Sequence, residues 1–479
     1  MRRLPLSLLA VSLLLAGVGH AHAADTRIPD AAVKTAEQLR DKALIDDTGY
    51  KIVSSLTTEV GPRIAGGLND ERGRAWAIAK FKELGYDKVY TEAVSYPLWQ
   101  RRSERGAIVA PFPQPLALTA LGFSAGTPAG GLTAEVVKFD SLDALKAANP
   151  ASVKGKIVYI GFRMTRQKDG HDYGMGSAIR TGGPAIASSK GAAGFILRSA
   201  GTDEHSRTPH TGVTLFKEAA QAIPAAALSN IDADQLERVL AYGKPVSVRL
   251  DLDCGITGTF TGANVIGEIT GRKHPEQIVD IGGHLDSWDL GTGAIDDGAG
   301  VAIAMAAGKL IHDLPQRPDR TVRVIAFADE EMGLFGGRAY ADKHADDVAN
   351  HQLGTESDFG SGPVWRMSAS VKPEARAAVA QIAGVLAPLG VAYDENRPGG
   401  GGSDLSQMHA KGMAALSLTQ DGTMYFDYHH NANDTLDKID PKDLAQNVAV
   451  YAAYAYMAAE AEGDFGSAPD AFKNDGAGE

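Results

Sequence analysis

Apolar positions recur along this chain in two rhythms. Residues 31–60 and 68–85 repeat them every three or four positions, the spacing of amphipathic helices. NDERGRAWAIAKFKELGY opens on an Asn cap followed by acids and stops at Gly85. DKVYTEAVSYPLWQ then alternates with period two, which predicts a strand. From Ala263 onward strands and helices take turns. ANVIGEITG, QIVDIGGH, TVRVIAFAD, QLGTESD and GMAALSLTQD read as strands, and AGVAIAMAAGKLIHDL and PEARAAVAQIAGVLAPLG as helices. Apolar strands alternating with helices predict an α/β fold, a mostly parallel mixed sheet flanked by helices.

Between these regions the texture changes. APFPQPLALTALGFSAGTPAGGLTAEVV is rich in Pro, Gly and Ala, and short strand-like pieces follow it: VKGKIVYIGF, GAAGFILRS and IPAAALS. SNIDADQLERVLAYG is a capped helix among them. Residues 110–257 therefore read as a β-rich module inserted into a domain whose two parts are 24–109 and 258–465, with a polar, flexible tail at 466–479. Residues 1–23 are a separate object. A basic MRR, an apolar run too short for a comfortable membrane span, and Ala21-His22-Ala23 match a secretory signal peptide. The chain is thus expected to be exported, periplasmic or secreted.

Composition narrows the classes. The chain has 479 residues, enough for two or three domains at about 150 residues each, and its 44% hydrophobic and 22% charged content is that of a globular protein. Losing Arg2 and Arg3 with the leader moves the net charge from −12 to −14. An acidic chain without basic runs argues against nucleic acid and against anionic membrane surfaces. Cys254 is the only cysteine, so no intrachain disulfide forms, and a small buried residue is its simplest reading.

Candidate chemistry lies just beyond the carboxyl ends of the predicted strands, where open α/β sheets gather functional groups. QIVDIGG is followed by His284 and Asp286, and the loop before the next helix holds Asp296-Asp297. TVRVIAFA leads into Asp329, Glu330 and Glu331; QLGTES into Asp358; GMAALSLTQD into His429, His430 and Asp434. Singly, each has a bland reading as a core histidine, a helix cap or a solvated acid. Together they crowd one sheet edge with carboxylates, which a cation must neutralise. Histidine with Asp and Glu and no thiolate suits zinc-like divalent metals, with cobalt or manganese also accommodated. Gly122-Phe123-Ser124-Ala125-Gly126 matches a nucleophile-elbow pattern, but TPAGG follows where a helix is required, so it reads as a loop.

HLDSWD, GAIDDGAG, Glu330-Glu331, ESDFG and HHNANDT resemble the co-catalytic zinc exopeptidase family, which includes bacterial leucyl aminopeptidases and glutamate carboxypeptidase. LTTEVGPR, TPHTGV and IPAAALSNIDA extend the resemblance over nearly the whole mature chain, and the insertion resembles a protease-associated domain. The resemblance implies two Zn²⁺ per chain. His284, Asp296, Glu331, Asp358 and His430 would be the ligands, Asp296 bridging both ions. Glu330 would be the general base, Asp286 the group orienting His284, and Asp297 a partner of the turn. His429 would help bind the substrate carbonyl. Ser403, in the loop Gly399–Ser403, would line the substrate pocket. The Asp296–Asp297 peptide would be cis, and TPHTGV would reach the active site. Three ligand carboxylates against two divalent ions leave one positive charge, which a bridging hydroxide cancels. The activity implied is hydrolysis of dipeptides or short peptides at a free terminus. A homodimer is left open. Two other readings stand beside this one: a non-catalytic, receptor-like binding protein on the same fold, and a one-zinc glutaminyl cyclase-like enzyme.

Overall fold

The computed structural model describes residues 25–218 and 221–473, so the predicted leader at 1–23 lies outside the described residues. Among the described residues, no helix is long and apolar enough to cross a membrane. The strands are β1 (Lys88–Ala110), β2 (Gln114–Leu116), β3 (Leu118–Ala120), β4 (Leu132–Phe139), β5 (Ile157–Ile160), β6 (Gly194–Arg198) and β7 (Ala225–Leu228). They continue with β8 (Ser247–Ile269), β9 (His274–His284), β10 (Arg320–Phe327), β11 (His351–Glu356), β12 (Val364–Ser370), β13 (Ala392–Tyr393) and β14 (Ala415–Gln420).

One sheet runs through the molecule in the order β13-β12-β14-β11-β9-β10-β8-β4-β5-β6-β7-β3. The centre is parallel: β9 lies between β10 and β11, and β11 also pairs parallel with β14. Every residue of β10 and of β11 is buried, as strands covered on both faces must be. Helix Ala299–His312 covers one side of this centre and is apolar and buried almost all round, as is helix Pro441–Glu460. The sheet is mixed because β8 and β12 join it antiparallel.

The helical reading of 31–60 resolves into two helices, Asp30–Ala43 and Thr48–Glu59. Asp46 makes the break by accepting the Thr48 N–H at 2.8 Å, a local bond that competes with helix continuation. The strand expected at residues 87–100 runs on to Ala110 and pairs antiparallel with β8 along its length. The two ends of β8 serve different neighbours. Val265–Ile269 pair with β10, and Ser247–Leu250 pair with β4. β1 and β8 thus form a long ribbon joining the parallel centre to the second patch β4-β5-β6-β7-β3. That patch has its own apolar clusters, around Ile157, Ile196 and Leu250 on one face and Val158, Phe195 and Leu197 on the other. It also holds helix Tyr173–Ser189, which the periodicity did not announce because Gly182, Gly183 and Pro184 interrupt it. Residues 466–473 lie along the loop at 410–414, where the Ala468 N–H donates to the Gly412 carbonyl and the Asp470 N–H to that of Lys411.

Candidate active site

The parallel centre carries β9, β10 and β11 to a common edge, and the candidate residues follow from where each strand stops. His284 ends β9, and Gly283 before it lies so close to helix Ala299–His312 that a Cβ there would sit 2.6 Å from Gly300 C and from Asp297 Oδ2. This approach lets Asp297 accept the His284 N–H with one oxygen and the Gly300 N–H with the other, both at 3.0 Å. Asp297 thus ties strand end to helix start, and burial holds its carboxyl well above the usual range. The Asp296–Asp297 peptide is cis.

His284 Nε2 lies 3.2 Å from Asp296 Oδ1 and 3.4 Å from Asp358 Oδ1. The other oxygen of Asp296 lies 3.3 Å from His430 Nε2 and 3.6 Å from His429 Nε2. His430 Nε2 is in turn 2.8 Å from Glu331 Oε2. Two groups therefore meet at Asp296. His284, Asp296 and Asp358 bring one ligand atom each within 4.8 Å of one another, and so do Asp296, His429 and His430. Asp296 Oδ2 and Glu331 Oε1 are buried without hydrogen-bond partners.

Asp286 acts on the backbone of the neighbouring loop. Its two oxygens accept the N–H groups of Glu330 and Glu331 at 3.0 and 3.3 Å. His284 Nδ1 is 3.0 Å from the Asp286 carbonyl and 3.6 Å from its carboxylate. Asp329, just before this pair, has φ +53°, and His430 has φ +62°, a region non-glycine residues adopt mainly where surrounding structure demands it. Burial, then the charge of Asp358, pushes Glu330 well above the ordinary carboxylate range. Burial likewise raises Glu331 to about 7. Burial and the neighbouring His430 hold His429 well below the usual imidazole value, so it is neutral. Ser403 donates to Asp358, and its loop is pinned because Glu356 Oε2 accepts the Leu405 N–H at 3.2 Å.

Three supporting residues had no assigned role. Arg63, fully buried, donates to the carbonyls of Leu285, Thr292 and Gly293 at 2.7–2.9 Å and so shapes the loop that ends in Asp296. Asp434 accepts the N–H groups of Ala294, Ile295 and Asp296 at 2.8, 2.6 and 3.2 Å. His210, in the TPHTGV segment, places Nδ1 2.6 Å from the His429 carbonyl, and the next residue's N–H donates to the His430 carbonyl at 2.9 Å. That segment holds the two-histidine turn from the far patch of the sheet. The four-residue step from His430 to Asp434 was a signal for Asp434. Arg63 lies in the LTTEVGPR stretch, but nothing local to it points to loop carbonyls more than 200 positions away. Ser124 is buried beside Cys254, its Oγ 3.7 Å from the Sγ, in the second patch.

Comparison with known proteins fits this geometry. The model of "Peptidase family M28" matches residues 264–455. Human carboxypeptidase Q is 33% identical over 418 residues, covering 86% of this chain and 85% of its own length. A solved peptidase M28 precursor from Shewanella amazonensis is 48% identical with a TM-score of 0.89, covering 92% of this chain and 99% of its own. A zinc aminopeptidase from Bacillus subtilis shares the fold at a TM-score of 0.59 and 21% identity, over 85% of this chain and 93% of its own.

Proposed function

The chain belongs to peptidase family M28 and is a metallopeptidase; from that premise we propose an exported exopeptidase that holds two zinc ions and cleaves dipeptides or short peptides at a free terminus. The observation that carries this reading is the meeting of two ligand groups at one buried aspartate, Asp296. The residues fit the metal. The donors are imidazole nitrogens and carboxylate oxygens, which suit zinc, and buried oxygens of Asp296 and Glu331 lack partners. His284, Asp296 and Asp358 would hold one ion; Asp296, Glu331 and His430 would hold the other. Zinc bound there would supply Lewis acidity toward the scissile carbonyl and lower the pKa of water.

The chain's own groups supply the rest. Glu330, raised by burial and by Asp358, takes the proton of the attacking water and passes it to the leaving amine. Asp286 fixes where Glu330 stands by holding its peptide N–H. His429, neutral and packed between Tyr173 and His430, donates to the substrate carbonyl, and Ser403 lines the pocket beside Asp358. Residues 110–257 act as a protease-associated-like cap, a reading supported by the bonds from His210 and Thr211 to the His429-His430 turn. Export rests on the leader at residues 1–23.

The test measures amino-acid release from a dipeptide panel with free, N-acetylated and C-amidated ends, before and after chelation and after zinc is returned. Expected is loss on chelation, recovery with zinc, and dependence on one free end. Hydrolysis that survives chelation, or equal cleavage of a doubly blocked peptide, overturns the reading.

A further inference from the structure

We propose that His344, Asp347 and His351 form a further divalent-metal site, remote from the active site and non-catalytic. His344 follows helix Phe335–Lys343, Asp347 lies in the turn after it, and His351 opens β11, at the strand end opposite the active site. One ligand atom from each lies within 4.8 Å of the others. His344 Nδ1 is 3.3 Å from Asp347 Oδ1, and His351 Nε2 is 3.9 Å from the same oxygen. Ligands roughly 2.1 Å from one tetrahedral ion stand about 3.4 Å apart, so little adjustment would close this group around an ion.

The far nitrogens decide the chemistry. His351 Nδ1 is 2.7 Å from Asp280 Oδ2, and Asp280 also accepts the Tyr340 hydroxyl at 2.8 Å. A carboxylate there requires the proton of His351 on Nδ1, which leaves an acceptor lone pair on Nε2. That Nε2 is buried and has no hydrogen-bond partner, while its residue is fully enclosed. His344 repeats the pattern, with Nε2 3.3 Å from Glu92 Oε1; Glu92 also takes Lys343 Nζ at 2.8 Å. Each imidazole thus has one nitrogen held by a buried carboxylate and the other turned toward Asp347. This is how proteins orient histidines that bind metals. His344 Nδ1 and Asp347 Oδ1 are within hydrogen-bond distance, and a divalent ion would take the place of the proton between them while also meeting the unpartnered His351 Nε2. The side chain of Asp347 is 46% exposed, which leaves room for a water as fourth ligand. A borderline cation such as Zn²⁺ fits the two nitrogens and one oxygen. It would clamp the end of helix Phe335–Lys343 to the start of β11.

The experiment loads the purified full-length protein with excess Zn²⁺, removes free metal by gel filtration and counts ions per chain by mass spectrometry. Asp347→Ala and His344→Ala are compared with the unaltered chain; both side chains reach the surface, and melting curves check that the variants fold. Expected is one ion fewer per chain in each variant, with dipeptide hydrolysis within about twofold of the original. Equal ion counts in all three proteins overturn the proposal. The count is a difference between chains with the same active site, so it stands whether that site holds one ion or two.

Discussion

Two clusters of histidine and carboxylate stand at opposite ends of β11. His351 opens the strand and Glu356 closes it, roughly 16 Å away along an extended chain. Around His351 the acids have basic partners. Burial works against Asp280, yet His351 and Arg323 draw it below the normal range. Burial works against Glu92 and Glu268 too, and both are drawn down, by His344 and Lys343 in one case and by Arg323 and Lys88 in the other. Beyond Glu356 the balance is reversed. Burial pushes Asp297, Asp329, Glu330 and Glu356 well above their ordinary values, and neighbouring acids add to the shift of each. Arg63, a buried cation against the 285–293 loop, spends its donors on backbone carbonyls. The same residue types thus make, at one end of a strand, a group whose surrounding acids are met by basic side chains and whose open position is the His351 Nε2, and at the other a set of buried acids that repel one another. The proposed catalysis lies where buried acids outnumber their partners, and the ion proposed at the other end is structural.

The largest effect separating the two ends is expected at Glu330. Glu330→Gln removes the proposed proton acceptor and leaves every proposed ligand, so kcat on a dipeptide should fall about 10²–10⁴-fold or more, while zinc content, read by mass spectrometry, should not change. A fully active variant would sink the base assignment. Next comes Asp286→Asn. Its carboxylate holds the Glu330 and Glu331 N–H groups, and the amide can accept only one of them, so activity or zinc affinity should fall about 10–100-fold. No change in either would mean that Asp286 does not position this loop.

The contrast also explains what could be read from the chain alone. His284, Asp296, Glu330 and Glu331 each follow a buried apolar strand or precede a helix, and strand ends are visible in local periodicity. The parallel centre was legible for the same reason. The pairing of β1 with β8 was not, because it joins residues more than 130 positions apart. The bonds of Arg63 to the 285–293 loop and of His210 to the His429-His430 turn are equally long-range. Helix Tyr173–Ser189 was hidden by glycines and a proline that tertiary packing tolerates. The His344, Asp347 and His351 spacing stands within eight residues and was open to notice, but its carboxylate supports, Glu92 and Asp280, come from other strands.

The smallest effect, and the one that sharpens the comparison most, is the pH dependence of stability without metal. In the metal-free protein burial raises Glu331 and Asp434 to about 7 and Asp404 to about 8. Burial opposes His430, but Glu331 outweighs it and holds the imidazole at about 10. All four groups bind a proton more tightly folded than unfolded. The three acids contribute stability that is present below about pH 4 and lost as pH rises through 7 to 8; His430 contributes stability lost between its ordinary 6.5 and about 10. His429, held below its ordinary value, opposes them only up to about its ordinary 6.5, so the chelated protein should melt at progressively lower temperature from about pH 6.5 to pH 9. Zinc binds the deprotonated ligands and should add more stability as pH rises, about 2.7 kcal/mol at a free concentration a hundredfold above Kd. Melting curves across this range, with and without zinc, should therefore diverge toward high pH. His344→Ala removes one partner of Glu92 but leaves Lys343 beside it and touches none of the four raised groups, so the fall of the chelated curve toward high pH should persist. Parallel curves for metal-free and zinc-loaded protein would show that the crowded edge beyond β11 is neutralised by something other than a bound cation.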